Sequence, residues 1–226
     1  MSVNINKWIR SLSCAGRPDE YEVKQLLALT GIAVPRGVRL MPDDKIVEPD
    51  FDAPFAVKVC SADILHKTDR GGVILGVTQD DLGAAVGDIR EKFKGAPVLV
   101  EEMLKYSGTE FIVGGLVDSS LGPAVMVGSG GVLTELIKDV SFRLAPCSEA
   151  EAQRMINELA VAPLFKGFRG IELDAAALAK IITTVSELEM ELGDKFGQLD
   201  INPLVNAGGR FVALDAKLIL SNGTED

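Results

Sequence analysis

Val57-Lys-Val-Cys-Ser-Ala-Asp-Ile-Leu-His-Lys-Thr-Asp-Arg-Gly-Gly-Val73 starts as an apolar strand, crosses a polar stretch and returns as strand. Phe55 to Cys60 reads as a strand of the alternating or buried kind, and Val73 to Val77 as another. A lysine within an apolar strand is costly to bury unless its ammonium meets an anion. Lys58 is therefore either an outward-facing edge residue or a candidate phosphate ligand. His66 is the single histidine of the chain. Its imidazole is a neutral-pH nucleophile or, more plainly, a loop group capping a carbonyl. Mechanisms needing two imidazoles, including His-rich metal sites, are excluded. Gly71-Gly72 allows a tight turn and close backbone approach.

A second segment lies near the C-terminus, at Leu199-Asp-Ile-Asn-Pro-Leu-Val205 followed by Val212-Ala-Leu-Asp-Ala-Lys217. Side chains alternate along a strand, so Asp200 and Asn202 share a face. A hairpin through Ala207-Gly208-Gly209 brings Asp215 to the partner strand, and three oxygen-bearing side chains can converge. Such ligands suit Mg²⁺ carrying nucleotide phosphates better than Zn²⁺. The competing reading is a solvated polar face, although Asp and Asn are disfavoured among Leu, Ile and Val in a strand. Val100-Glu-Glu-Met103 ends a strand whose backbone can read an adenine, with Glu110 in reach of a ribose; a rim of solvated acids is the plainer alternative. Gly128-Ser-Gly-Gly131 fits neither the Walker A nor the dinucleotide fingerprint.

Elsewhere the pattern predicts an irregular lead-in over residues 1–19 and a helix from Glu20 to Leu29 stopped at Gly31. A short strand over 33–40, a loop over 41–54 and a helix over 80–93 follow. Strands over 98–103 and 111–117 are joined by Tyr-Ser-Gly-Thr, and Pro123 to Gly128 adds one more. Ser148-Glu-Ala-Glu151 is a capping box opening a helix to Leu159. Asp174 caps a longer helix with Leu178, Ile181, Ile182, Val185, Leu188 and Leu192 on one stripe. Strands and helices without regular βαβ alternation give an α+β fold. The expected division is a lead-in (1–19), an N-terminal lobe (20–96) and a C-terminal lobe (97–226).

The chain has 226 residues, 47% of them hydrophobic, enough for a substantial core. Its 23 basic against 33 acidic side chains give a net charge of −10, which argues against nucleic acid as a partner. Three widely spaced cysteines form no zinc pattern or disulfide framework, which fits a reducing compartment. No apolar run approaches the roughly 18 residues of a membrane span, and the first ten residues lack a secretory apolar region. A soluble cytoplasmic protein is expected.

Together these segments resemble the ATP-grasp β subunit of NDP-forming acyl-CoA synthetases, especially the ADP-forming acetate–CoA ligase type. The resemblance is carried by Asp63-Ile-Leu-His-Lys-Thr-Asp-Arg-Gly-Gly-Val73, Val100-Glu-Glu-Met103, Glu110-Phe-Ile-Val-Gly, Ile137-Lys-Asp-Val-Ser-Phe-Arg-Leu-Ala-Pro146 and Leu199-Asp-Ile-Asn-Pro-Leu-Val205. It implies an ATP-grasp fold of two lobes with ATP or ADP bound between them. It also implies a reversible reaction of acyl-CoA, ADP and phosphate to carboxylic acid, CoA and ATP. By matching, His66 resembles a phosphoryl carrier and Lys58 the phosphate-binding lysine. Glu101, Met103 and Glu110 are the nucleotide-binding candidates that the strand-end reading offers. Asn202 and Asp215 resemble the Mg²⁺ ligands, with Asp200 beside them. A CoA-binding α subunit, in an α2β2 heterotetramer, is the implied partner. Two other functions stay open on the sequence: a non-catalytic ATP-grasp sensor or scaffold of an acyltransferase complex, and a stand-alone ATP-grasp carboxylate–amine ligase.

Overall fold

The computed structural model describes residues 5–12, 17–64, 67–106, 109–131, 138–171 and 173–221. They form two compact units, one built from Asp19–Glu22 and Pro35–Lys105, the other from the remaining stretches.

The first unit is a four-stranded antiparallel sheet with one helix. Its strands are β1 (Gly37–Leu40), β2 (Phe55–Val59), β3 (Val73–Val77) and β4 (Val98–Glu102), in the order β1-β4-β2-β3. Phe55, Val57 and Val59 pack with Val86, Ile89 and Phe93, on or just beyond helix α3 (Leu82–Lys92; α1 and α2 precede it in the chain), and form a core of their own. The alternate residues Ala56 and Lys58 face the opposite side. Gly72 is required at the base of β3. A Cβ there would lie 2.7 Å from Val59 Cγ1 and 3.0 Å from the Lys67 carbonyl.

The second unit carries β5 (Glu110–Asp118), β6 (Gly122–Ser129), β7 (Val140–Leu144), β8 (Phe196–Ala207), β9 (Arg210–Ala213) and β10 (Ala216–Leu220). The sheet runs β10-β8-β5-β6-β7, with β9 paired to the far end of β8. Helices α1 (Ile5–Arg10), α2 (Glu20–Leu29, from Val23 onward), α4 (Glu149–Glu158) and α5 (Ala175–Leu192) contribute to its core with Val113, Val125, Leu199 and Ile201. The caps form where the sequence places them. Ser148 Oγ accepts the Glu151 amide, and Asp174 Oδ1 accepts those of Ala176 and Ala177.

Four expectations need correction. Residues 5–10 are helical, because Ile5, Trp8, Ile9 and Leu12 repeat at helical spacing and bury against the core. The boundary expected near residue 97 falls after Lys105, because β4 is an interior strand between β1 and β2. Much of the helix after Glu20 belongs to the second unit, where Leu26 and Leu27 are fully buried. The partner strand expected to carry Asp215 after the Ala207-Gly208-Gly209 turn breaks at Leu214-Asp215 into β9 and β10, each pairing with its own part of β8.

Glu189 on α5 is only 2% exposed, and neither carboxylate oxygen has a hydrogen-bond partner among the described residues. It faces Gly115 of β5, where a Cβ would sit 1.8 Å from Glu189 Oε1. Burial pushes its carboxyl up to about 8, so the folded protein keeps this proton while the unfolded chain ionises from about 4.5 upward. The folded state thus binds more protons across that window, and stability falls as pH rises through it, by at most about 1.4 kcal/mol per pH unit. Thermal melts should show the wild type losing stability between about pH 4.5 and 8, with Glu189→Gln markedly flatter. Parallel curves would mean that the carboxyl is solvated.

Candidate active site

In the first unit the functional side chains are set by the register of β2 and the first turn of α2. Lys58 lies on an interior strand, 8% exposed, with Leu99 and Val73 as its cross-strand neighbours. This excludes the outward-facing edge reading. Its ammonium donates to Glu20 Oε1 at 2.8 Å and pairs with Glu101 Oε2 at 2.8 Å. Glu101 is 2% exposed, so the reading of a rim of solvated acids fails for this residue. The other Glu20 oxygen accepts from Lys67 Nζ. Glu20 is held in place by a reciprocal capping box around it. Glu22 N–H donates to Asp19 Oδ1 and Asp19 N–H to Glu22 Oε2, both at 3.0 Å. Arg39 ties down both cap carboxylates, at 2.6 Å to Asp19 and 3.3 Å to Glu22, and lies over the Tyr21 ring.

Met103, expected to read a nucleotide base through its backbone, donates its N–H to Pro54 O at 3.0 Å, and its sulfur accepts the Gly76 N–H. His66 lies outside the described residues. The chain resumes at Lys67 in a turn closed by Gly71 N–H to Thr68 O (2.9 Å) and Gly72 N–H to Lys67 O (2.7 Å). Burial drives the neighbouring Cys60 thiol far up, with Asp19 and Glu20 adding to the effect. It is therefore no nucleophile.

In the second unit, β8 and the β9–β10 break bring together the residues expected to hold a metal. Asn202 N–H donates to Asp215 O at 3.1 Å and Leu214 N–H to Pro203 O at 3.0 Å. Lys24, itself buried, donates to the Leu214 carbonyl at 2.8 Å and fixes the backbone beside Asp215. Asp200 is half-buried and sits across from Lys217 on β10 and Gly114 on β5. Its carboxyl is raised by burial and by the nearby Asp215 charge, while Lys217 acts against this. Among the described residues no three His, Cys, Asp or Glu side chains gather at one point. The available set is thus two carboxylates under mutual repulsion plus the exposed Asn202 amide, oxygen donors that fit a hard divalent cation.

Glu110 stands apart from that set, at the start of β5. It accepts the Tyr106 hydroxyl at 2.7 Å, and its carbonyl accepts the Gly130 N–H. Gly130 tolerates no side chain, since a Cβ would lie 2.8 Å from the Glu110 backbone. The Gly128–Gly131 segment is therefore fitted to Glu110. Nothing in the local sequence marks Glu20 or Lys24. They look like a first-turn acid and a surface lysine of an amphipathic helix, and their partners lie far away along the chain.

A four-stranded antiparallel unit with a buried strand lysine, joined in sequence to a larger antiparallel unit with Asp and Asn on an interior strand, is the architecture of an ATP-grasp protein. The ATP-grasp domain family matches residues 15–220, and the chain belongs to it. Within that family it is similar to the β subunit of the ADP-forming acetate–CoA ligase I of Pyrococcus furiosus, at 35% identity over 89% of this chain and 90% of that one. The ADP-forming acetate–CoA ligase I of Archaeoglobus fulgidus is 33% identical over 92% of this chain, which spans 32% of that longer protein. Among solved structures, the dinucleotide-forming acetyl-coenzyme A synthetase 1 of Ca. Korarchaeum cryptofilum, in complex with coenzyme A and Mg-AMPPCP, superposes with a TM-score of 0.78. The two are 31% identical, with 92% of this chain and 94% of that one covered. Among the described residues no helix is long and apolar enough to cross a membrane.

Proposed function

We propose that the chain is the nucleotide-binding β subunit of an ADP-forming acyl-CoA synthetase. With a CoA-binding α subunit, in an α2β2 assembly, it would catalyse the reversible conversion of acyl-CoA, ADP and phosphate into carboxylic acid, CoA and ATP. The observation that carries this reading is the near end-to-end match to ligase β subunits, combined with a match to only one third of the single-chain ligase. CoA and acyl recognition then belong to the part of the single-chain ligase that this match does not cover.

In this reading His66 takes a phosphoryl group on an imidazole nitrogen and passes it to ADP. The N–P bond breaks with its electron pair returning to the ring, and a bond forms from the ADP β-phosphate oxygen to phosphorus. Lys58 meets the phosphates as a positive charge already fixed on a rigid strand. Such transfer depends on positioning and charge neutralisation more than on covalent help from the protein. The strand end at Glu101 and Met103 lines the nucleotide, and Glu110 orients its sugar. Asn202 and Asp215, with Asp200 beside them, would hold Mg²⁺, which supplies charge neutralisation of the nucleotide phosphates.

Calorimetry of Mg·ADP binding tests this assignment. Asp215→Ala should weaken the Mg²⁺-dependent affinity by at least about tenfold. An unchanged affinity would make the β8–β10 set a structural feature only.

A further inference from the structure

Lys58 and Lys67 share one carboxylate. Glu20 Oε1 accepts from Lys58 at 2.8 Å, and Glu20 Oε2 accepts from Lys67. Lys58 already has a second carboxylate at the same distance, Glu101. Neutralising Lys58 therefore does not require Glu20, and a second buried carboxylate beside it costs desolvation. Glu20 offsets this cost in part by also holding Lys67. All three bridging groups are well shielded, with side chains 4% (Glu20), 9% (Lys58) and 16% (Lys67) exposed. The contacts are thus screened little by salt.

We propose that Glu20 is a positioning residue of the phosphoryl transfer: it bridges Lys58 on β2 to Lys67, the residue that follows His66 in sequence, and so ties the turn at Lys67 to the phosphate-binding lysine. This rests on the reading of His66 as the phosphoryl carrier. Lys58 is the phosphate ligand in the same reading, so one carboxylate ties that ligand and the turn at Lys67 to the start of α2. Loss of the bridge should slow transfer without weakening nucleotide binding in proportion. Glutamine at position 20 replaces one acceptor oxygen by a donor and cannot serve both lysines.

The test uses Glu20→Gln, Lys67→Met and the double variant in the full chain. Hydrogen exchange at the Gly71 and Gly72 amides, whose acceptors are Thr68 O and Lys67 O, needs no nucleotide. Each single variant should accelerate it by about tenfold, the scale of a lost charge-assisted hydrogen bond, and the double variant no further. In the assembled enzyme, kcat should fall by a similar factor while KM for ADP changes less than about twofold. Unchanged exchange, additive losses or a KM effect alone would overturn the proposal. If Glu20→Gln fails to fold, Lys67→Met decides, because it leaves Glu20 paired with Lys58. A wild type that forms no phosphohistidine defeats the proposed function instead, while the exchange data still report on the bridge.

Discussion

His66→Asn in the assembled enzyme is expected to lower acyl-CoA synthesis by at least about a thousandfold while leaving Mg·ADP affinity within about twofold. Asparagine keeps a polar side chain of similar reach but offers no nitrogen able to carry and release a phosphoryl group. The chain holds no other histidine that could substitute. Labelled ATP with the α partner should leave an acid-labile, base-stable label on the wild-type subunit and none on the variant. A variant with normal synthesis would remove the relay and leave the nucleotide-binding role on Lys58, Asn202 and Asp215.

Lys58→Met carries the second large effect, and it acts on two observables at once. Methionine matches the aliphatic stem, so packing around β2 is kept while the ammonium is lost. Glu101 and Glu20 then each lose a buried ammonium partner. Breaking a buried pair from one side costs about 3–5 kcal/mol. Denaturant unfolding should show a loss of that order. Adding Glu101→Gln should recover much of the stability, since it removes the buried charge that Lys58 had balanced. Phosphoryl transfer should stay lost in both variants, because neither restores a cation for the phosphates. Recovery of both properties together would assign Lys58 a purely structural role.

Local signals account for most of the legible fold. The ends of α2, β2 and β3 are marked by Gly31, by an apolar run and by Gly71-Gly72, and the structure places these elements at 20–29, 55–59 and 73–77. The boundary between units is illegible locally, because β4 joins the first sheet through pairing with β1 and β2, which end at Leu40 and Val59, far upstream of Val98. The break at Leu214-Asp215 has the same origin, since only the pairing with β8 separates β9 from β10. The helical spacing of Ile5, Trp8, Ile9 and Leu12 marks α1, although polar neighbours and a Ser, Gly and Pro content dilute the signal.

The candidate site divides in the same way. Lys58 and the Asp200, Asn202, Asp215 set stand out because each breaks the apolar pattern of its strand. Nothing local marks Glu20 as the partner of a lysine 38 positions on. Glu189 was equally hidden, since Ser186-Glu-Leu-Glu-Met-Glu191 reads as an exposed acidic stretch until the packing of α5 is known.

The path of the chain limits how this protein can be divided. It contributes residues 1–18, 23–34 and 106–226 to one unit and residues 19–22 and 35–105 to the other. No single continuous gene segment therefore encodes either unit. A fragment starting at Pro35 would carry Lys58 and Glu101 but leave behind Glu20, together with the Asp19 and Glu22 carboxylates that hold Arg39. Domain swaps between relatives that cut after residue 34 would inherit Glu20 from one parent and both of its lysines from the other. Chimeras that keep parental ionic pairing must exchange residues 19–22 together with 35–105.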